Sequence, residues 1–144
     1  NYSDWGALFD EIASGPKDEE YQEVIAKGTI SWTSGVAERF IKLAADMIQK
    51  RINKAQDAYQ RQMKNARGVS ANISNALLTL RKEYRYVYSL GQAMPIPEEY
   101  RNQLTKMVQH HADTTQQSLE DSAKADRTGH LTTLVKNAHM NRLT

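Results

Sequence analysis

Two stretches of this chain, Val36–Arg67 and Glu98–Thr128, contain neither proline nor glycine, and a shorter run from Val69 to Leu90 lies between them. Those two residues are the strongest breakers of helical periodicity: in a helix interior glycine costs about 1 kcal/mol relative to alanine, and proline about 3 kcal/mol. Uninterrupted runs of this length predict long helices laid side by side.

The apolar residues agree. The helix predicted over Val36–Arg67 would be roughly 45 Å long at 1.5 Å per residue. Its seam is Ile41, Ala44, Ile48, Ile52, Ala55, Tyr59, Met63 and Ala66, spaced by threes and fours. Val36, Phe40, Leu43 and Met47 widen the apolar arc of its first half, which implies a second neighbour there. Gly68 and Ser70 give a stop and a new cap. The next helix, Ala71 to Leu90, has the cleanest seam: Ile73, Leu77, Leu80, Tyr84 and Val87. Pro97 followed by Glu98–Glu99 then marks a helix start, since acids in a first turn face the positive end of the helix dipole. That helix opens with Tyr100, Leu104, Met107 and Val108, and its seam then turns polar at His111, Thr115, Ser118 and Ser122, with Leu119 as the lone leucine. A last short helix is expected near Leu131–Arg142, using Leu131, Leu134, Val135 and Ala138.

Ahead of these, residues 1–35 read as two short helices. Trp5, Leu8, Phe9 and Ile12 recur on one face of the first, and Tyr21, Val24 and Ile25 form the apolar side of the second. Gly15–Pro16 and Gly28 bound them, and Ile30 and Trp32 follow in the connector. Short connections between long helices favour antiparallel neighbours. The expected fold is therefore all-α: an elongated antiparallel bundle of three long helices with short flanking helices at both ends. Its 144 residues fit one domain, with an acidic head (1–35), a long-helix core (36–128) and a short carboxy-terminal helix (129–144).

The formal net charge of +2 hides a gradient. Residues 1–35 hold Asp4, Asp10, Glu11, Asp18, Glu19, Glu20 and Glu23 against Lys17 and Lys27, a net of −5; residues 36–67 carry +5. Residues 68–94 add +2, and residues 95–144 balance. An acidic head and a basic rod invite electrostatic pairing within one chain or between neighbours.

Other classes find little support. There is no cysteine, which removes disulfides, thiolate nucleophiles and cysteine-based zinc sites. No segment approaches the ~18 consecutive apolar residues of a membrane-spanning helix. Glycine-rich phosphate loops, a Gly-x-Ser-x-Gly elbow and a His-Glu-x-x-His run are all missing. The acid pairs Glu19–Glu20, Glu98–Glu99 and Glu120–Asp121 are adjacent, hence splayed about 100° apart on a helix. No catalytic residue, cofactor or metal is expected; His110 with Asp113 makes at most half a metal site.

Three groups of residues are candidates for contact. Leu78, Arg81 and Arg85 share a helix face off the seam, and interfaces enrich arginine and bury leucine; a plain surface with one exposed leucine is the alternative. His111, Thr115 and Ser118, at inward positions of a helix that must pack, suggest a loosely held extension or closure by a partner; a hydrogen-bonded, half-buried His111 would also fit. Arg39, Lys42, Lys50, Lys54, Arg61 and Lys64 form a basic face, with Asp46 and Asp57 interleaved. Such a face contacts phosphates or is simply solvated.

The expected function is non-catalytic: an interaction or self-assembly module whose partner is another protein or further copies of itself. The alternative is sequence-independent nucleic-acid binding or packaging through the basic faces of the helices over 36–67 and 71–90.

Overall fold

The computed structural model describes residues 34–93, 97–126 and 128–144, without the side chains of 34–37, 39, 40 and 93. The two short helices expected within 1–35, and the Val36, Phe40 and Arg39 side chains, lie outside the described residues. The described chain is all helical: α1 (Ser34–Ala66), α2 (Ser70–Ala93), α3 (Glu98–Ala125) and the short α4 (His130–Ala138). None of them is long and apolar enough to cross a membrane.

Side-chain contacts fix the direction of each helix. Arg51 meets Glu83 and Gln56 meets Tyr84, while Asn65 and Ala66 lie near Asn72, so α1 and α2 run antiparallel. Tyr84 meets Thr115 and Gly91 abuts Thr105, so α2 and α3 are antiparallel too. Gln49 pairs with His111, seven residues before the level of Gln56, which leaves α1 parallel to α3. The bundle is up-down-up. α2 touches all three other helices, and α4 closes over α2 and α3.

The two cleanest seams form the core as expected. Ala44, Ile48, Ile52 and Ala66 of α1, with Ile73, Leu77, Leu80, Tyr84 and Val87 of α2, are buried, and Ile41, Ala55, Tyr59 and Met63 pack against them half-buried. α1 ends where Arg67 and Gly68 adopt positive φ of 49° and 77°, and the Val69 N–H donates back to the Ala66 carbonyl at 2.9 Å. Glycine takes that left-handed position without the clash a Cβ brings. Val69 rather than Ser70 then accepts the first α-helical bond, from Ile73 N at 3.0 Å. The Ser70 hydroxyl instead lies 2.7 Å from His130 Nε2, tying α2 to the start of α4.

α2 does not stop at Leu90. It runs on to Ala93 through Gly91, which α3 approaches closely: a Cβ there would stand 3.3 Å from Thr105 Cγ2 and 3.6 Å from Leu104 Cβ. Close backbone approach offsets the helix penalty of glycine. Gly91→Val is expected to wedge α2 from α3 and destabilise by about 1–3 kcal/mol, while Gln92→Val beside it, at an exposed position, shifts the thermal midpoint little. Paired thermal melts check this.

The seam of α3 differs from the expected one. Leu104, Val108, Ala112, Gln116 and Ala123 are buried, whereas Ser118 and Ser122 are exposed. Steps of four residues overshoot a 3.6-residue turn by about 40° each, so the buried line winds around α3. It leaves the α1 side and turns toward α4 and the residues that follow it. The polar seam was a straight extrapolation of a stripe that rotates.

α4 ends earlier than the expected Arg142. His139 takes a left-handed conformation (φ 48°, ψ 51°), and the chain beyond it folds inward, burying Met140 and Leu143. Three polar side chains hold this tail by its backbone: Gln116 Oε1 accepts from Met140 N at 3.0 Å, Gln109 Nε2 donates to Asn141 O at 2.7 Å, and Arg81 Nη2 donates to Arg142 O at 3.3 Å.

Candidate functional site

The outer face of α2 carries the most distinctive described surface. Leu78 is 47% exposed between the core residues Leu77 and Leu80, because the α2 seam turns only one side of the helix inward. Arg81 and Lys82 lie one turn on and Arg85 two, and with Tyr86 and Ser89 they line a shallow groove of about 300 Å³. Lys82 and Arg85 are exposed. The only acid of α2, Glu83, is turned away: its Oε1 accepts from Arg51 Nε at 3.2 Å and Nη2 at 3.1 Å. Arg51 also lies 4.6 Å from the centre of the Tyr86 ring, a cation–π contact that stiffens one wall of the groove. The result is a cationic face, with no acid among its described lining residues and a leucine at one end.

Leu78, Arg81 and Arg85 are thus brought together as the sequence suggests, with one difference. Arg81 is half-buried, with its guanidinium committed to the Arg142 carbonyl and its buried Nε lacking an acceptor. It anchors the tail more than it offers charge outward.

The second candidate group is not brought together. His111 faces α1, with Nε2 2.9 Å from Gln49 Oε1. Thr115 Oγ1 lies 2.8 Å from the Tyr84 hydroxyl, which also accepts from Gln56 Nε2 at 2.8 Å. This Gln56–Tyr84–Thr115 chain crosses all three long helices. Ser118 points the other way, into an open depression shared with His110, Asp113, Gln117 and Asp121. Two of the three are therefore bundle contacts, and the third is surface.

The basic face of α1 is present: Lys42, Lys50, Lys54, Arg61 and Lys64 are exposed, as are Asp46 and Asp57 among them. Between α1 and α2 runs a larger groove, about 460 Å³, floored by Ala55, Ala58 and Leu80. Its Tyr59 hydroxyl is pushed above the ordinary tyrosine range by burial. Among the described residues no three His, Asp or Glu side chains converge to hold a metal ion.

Sequence reasoning missed the glutamines. Gln49, Gln56, Gln109 and Gln116 each make a polar contact between elements, yet in the sequence they are ordinary helix formers. Gln116 is the one buried outright, bonded to Met140, to Glu120 at 3.1 Å and to the Val135 carbonyl at 3.5 Å. Asp126 was also missed. Its carboxylate accepts from Leu131 N at 3.1 Å and the Thr128 hydroxyl at 2.9 Å, capping α4 from outside the helix.

Two groups make stability depend on pH. Burial, and then the neighbouring His110, hold the His111 imidazole below the ordinary histidine range. The unfolded chain takes up that proton near pH ~6.5 and the folded chain only at lower pH, so stability falls as pH drops from there through the folded value. The Leu131 N–H, then the Thr128 hydroxyl, hold Asp126 below the usual carboxylate range. Its stabilisation is complete above the unfolded carboxylate pKa and is lost as pH falls through the lower folded value. In thermal melts across pH, His111→Leu is expected to flatten the decline below pH ~6.5. Asp126→Asn should lower the midpoint at neutral pH and remove the separate decline in acid.

No known protein family, no characterised protein and no solved structure matches this chain.

Proposed function

We propose that this chain is a non-catalytic helical-bundle module for protein–protein interaction, and that it assembles with further copies of itself. The observation that carries this reading is the outer face of α2, where a half-exposed leucine sits beside exposed Lys82 and Arg85 with no acid among them. A solvated helix face usually mixes both charge signs; an interface face need not. The strongly acidic stretch 1–35 offers the opposite charge within the same sequence. Light scattering across a concentration and salt series tests it. Mass is expected to rise above 16.4 kDa with concentration at low salt and to fall back as salt screens the contact. A monomer at every salt and concentration rules out self-assembly.

A second reading rests on the row of exposed bases along α1, Lys42 to Lys64. As a phosphate-binding face it predicts affinity for single- or double-stranded probes that weakens steeply with salt. Undetectable binding at low salt removes it. Asp46 and Asp57, exposed within that row, weigh toward the protein-binding reading.

A further inference from the structure

We infer that the outer face of α2 is the seat for the acidic stretch Asp4–Glu23 of a second copy of this chain, with Leu78 as its apolar contact and Lys82 and Arg85 as its charge contacts. This rests on the assembly reading above and gives it a face and an occupant.

The choice of face follows from which charges are already spent. On α1 the exposed bases have Asp46 and Asp57 beside them, and among its described side chains no large apolar one is strongly exposed. On α2 the one acid is paired with Arg51 of α1, so among the described residues of α2 no acid is left to neutralise Lys82 and Arg85. An acid arriving at this face meets no repulsion, and like-charge juxtaposition is what most strongly excludes wrong partners. Leu78 and the groove beside it, with Tyr86 as one wall, add a place for an apolar side chain.

The choice of occupant follows from the sequence. Residues 1–35 are the one part of the chain where acids clearly outnumber bases, by −5, against +5 and +2 in the two parts that follow and balance in the last. The same stretch carries Trp5, Leu8, Phe9 and Ile12 next to Asp4, Asp10 and Glu11. It offers apolar and acidic groups together, the complement of a leucine set among cations. Because the contact joins two different surfaces, it is heterologous: each added copy presents a fresh face and a fresh acidic stretch, so growth continues into a ring or an open filament.

Paired charge reversal tests this on the full-length protein. One variant reverses the face (Lys82→Glu with Arg85→Glu), the other the occupant (Asp10→Lys, Glu11→Lys, Glu19→Lys and Glu20→Lys, which takes residues 1–35 from −5 to +3), and far-UV circular dichroism confirms that both keep their helix content. In sedimentation velocity at low salt the parent is expected to associate, and each variant alone to associate at least about tenfold more weakly, since each now opposes like charges. Their equimolar mixture should recover association, because the unchanged acidic stretch of the first meets the unchanged basic face of the second, and the reversed surfaces match each other in the same way. Leu78→Ser should weaken association as well. If the parent associates but both variants match it, or the mixture stays monomeric, the assigned face and occupant are overturned while assembly stands. If the parent is monomeric throughout, this assignment falls together with the self-assembly reading.

Discussion

Deleting the last five residues, Met140–Thr144, is expected to lower the thermal midpoint by more than about 10 °C, or to abolish cooperative unfolding altogether. Met140 is fully buried and Leu143 is 4% exposed. Removing a buried methionine or leucine side chain costs about 2–5 kcal/mol each. A domain of this size has roughly 5–15 kcal/mol in total, so the two together take a large share of it. The deletion also strips partners from Gln116, Gln109 and Arg81. Gln116 suffers most, because it is buried and its Oε1 would lose the Met140 N–H. Deleting Thr144 alone, which is exposed, should leave the melt unchanged. A five-residue deletion that melts like the parent would mean that the tail does not dock.

The second large effect is expected at Tyr84, the largest fully buried side chain among the described residues. Tyr84→Ala opens a cavity among three helices and should cost about 3–5 kcal/mol. Tyr84→Phe keeps the volume but leaves Gln56 and Thr115 without their shared partner, at about 1–3 kcal/mol. The informative variant is the triple Tyr84→Phe, Gln56→Leu, Thr115→Val, which replaces the whole polar chain with apolar groups of similar size. It should recover most of the stability lost by Tyr84→Phe alone, since apolar replacement of both partners is close to neutral. Chemical denaturation of the three variants gives the comparison. A triple variant no more stable than the single one would show that the polar chain stabilises the bundle outright.

These two sites mark the edge of what was legible in the sequence. The seams of α1 and α2 could be read residue by residue, because each lies against long neighbours on one side and a straight 3.6-residue stripe describes it. The helix start after Pro97 was legible for a local reason: Pro97 O accepts from Tyr100 N and Arg101 N, and Glu98 and Glu99 occupy the first turn. The rotation of the α3 stripe was not legible, since it depends on a fourth element packing on only part of that helix. Nor was the tail. Met140 and Leu143 follow a helix that ends at His139 without glycine or proline, and the left-handed turn there is held by tertiary contacts.

The candidate face was half legible. Helical spacing alone puts Leu78, Arg81 and Arg85 on one side, and that holds. What spacing cannot show is which charges are satisfied by a neighbouring helix. Glu83 lies two residues from Arg81 and Arg85, and the sequence alone would let it neutralise either. Only the antiparallel register of α1 and α2 sends it to Arg51 instead and leaves the face uniformly positive.

The bond from Arg81 to the Arg142 carbonyl puts the chain's exit point at the rim of this same face. A purification tag or fluorescent fusion appended behind Thr144 would hang over the groove like an awning and shade it from incoming copies. A label for measuring association is better placed on the exposed Arg67 side chain, in the turn that joins α1 to α2.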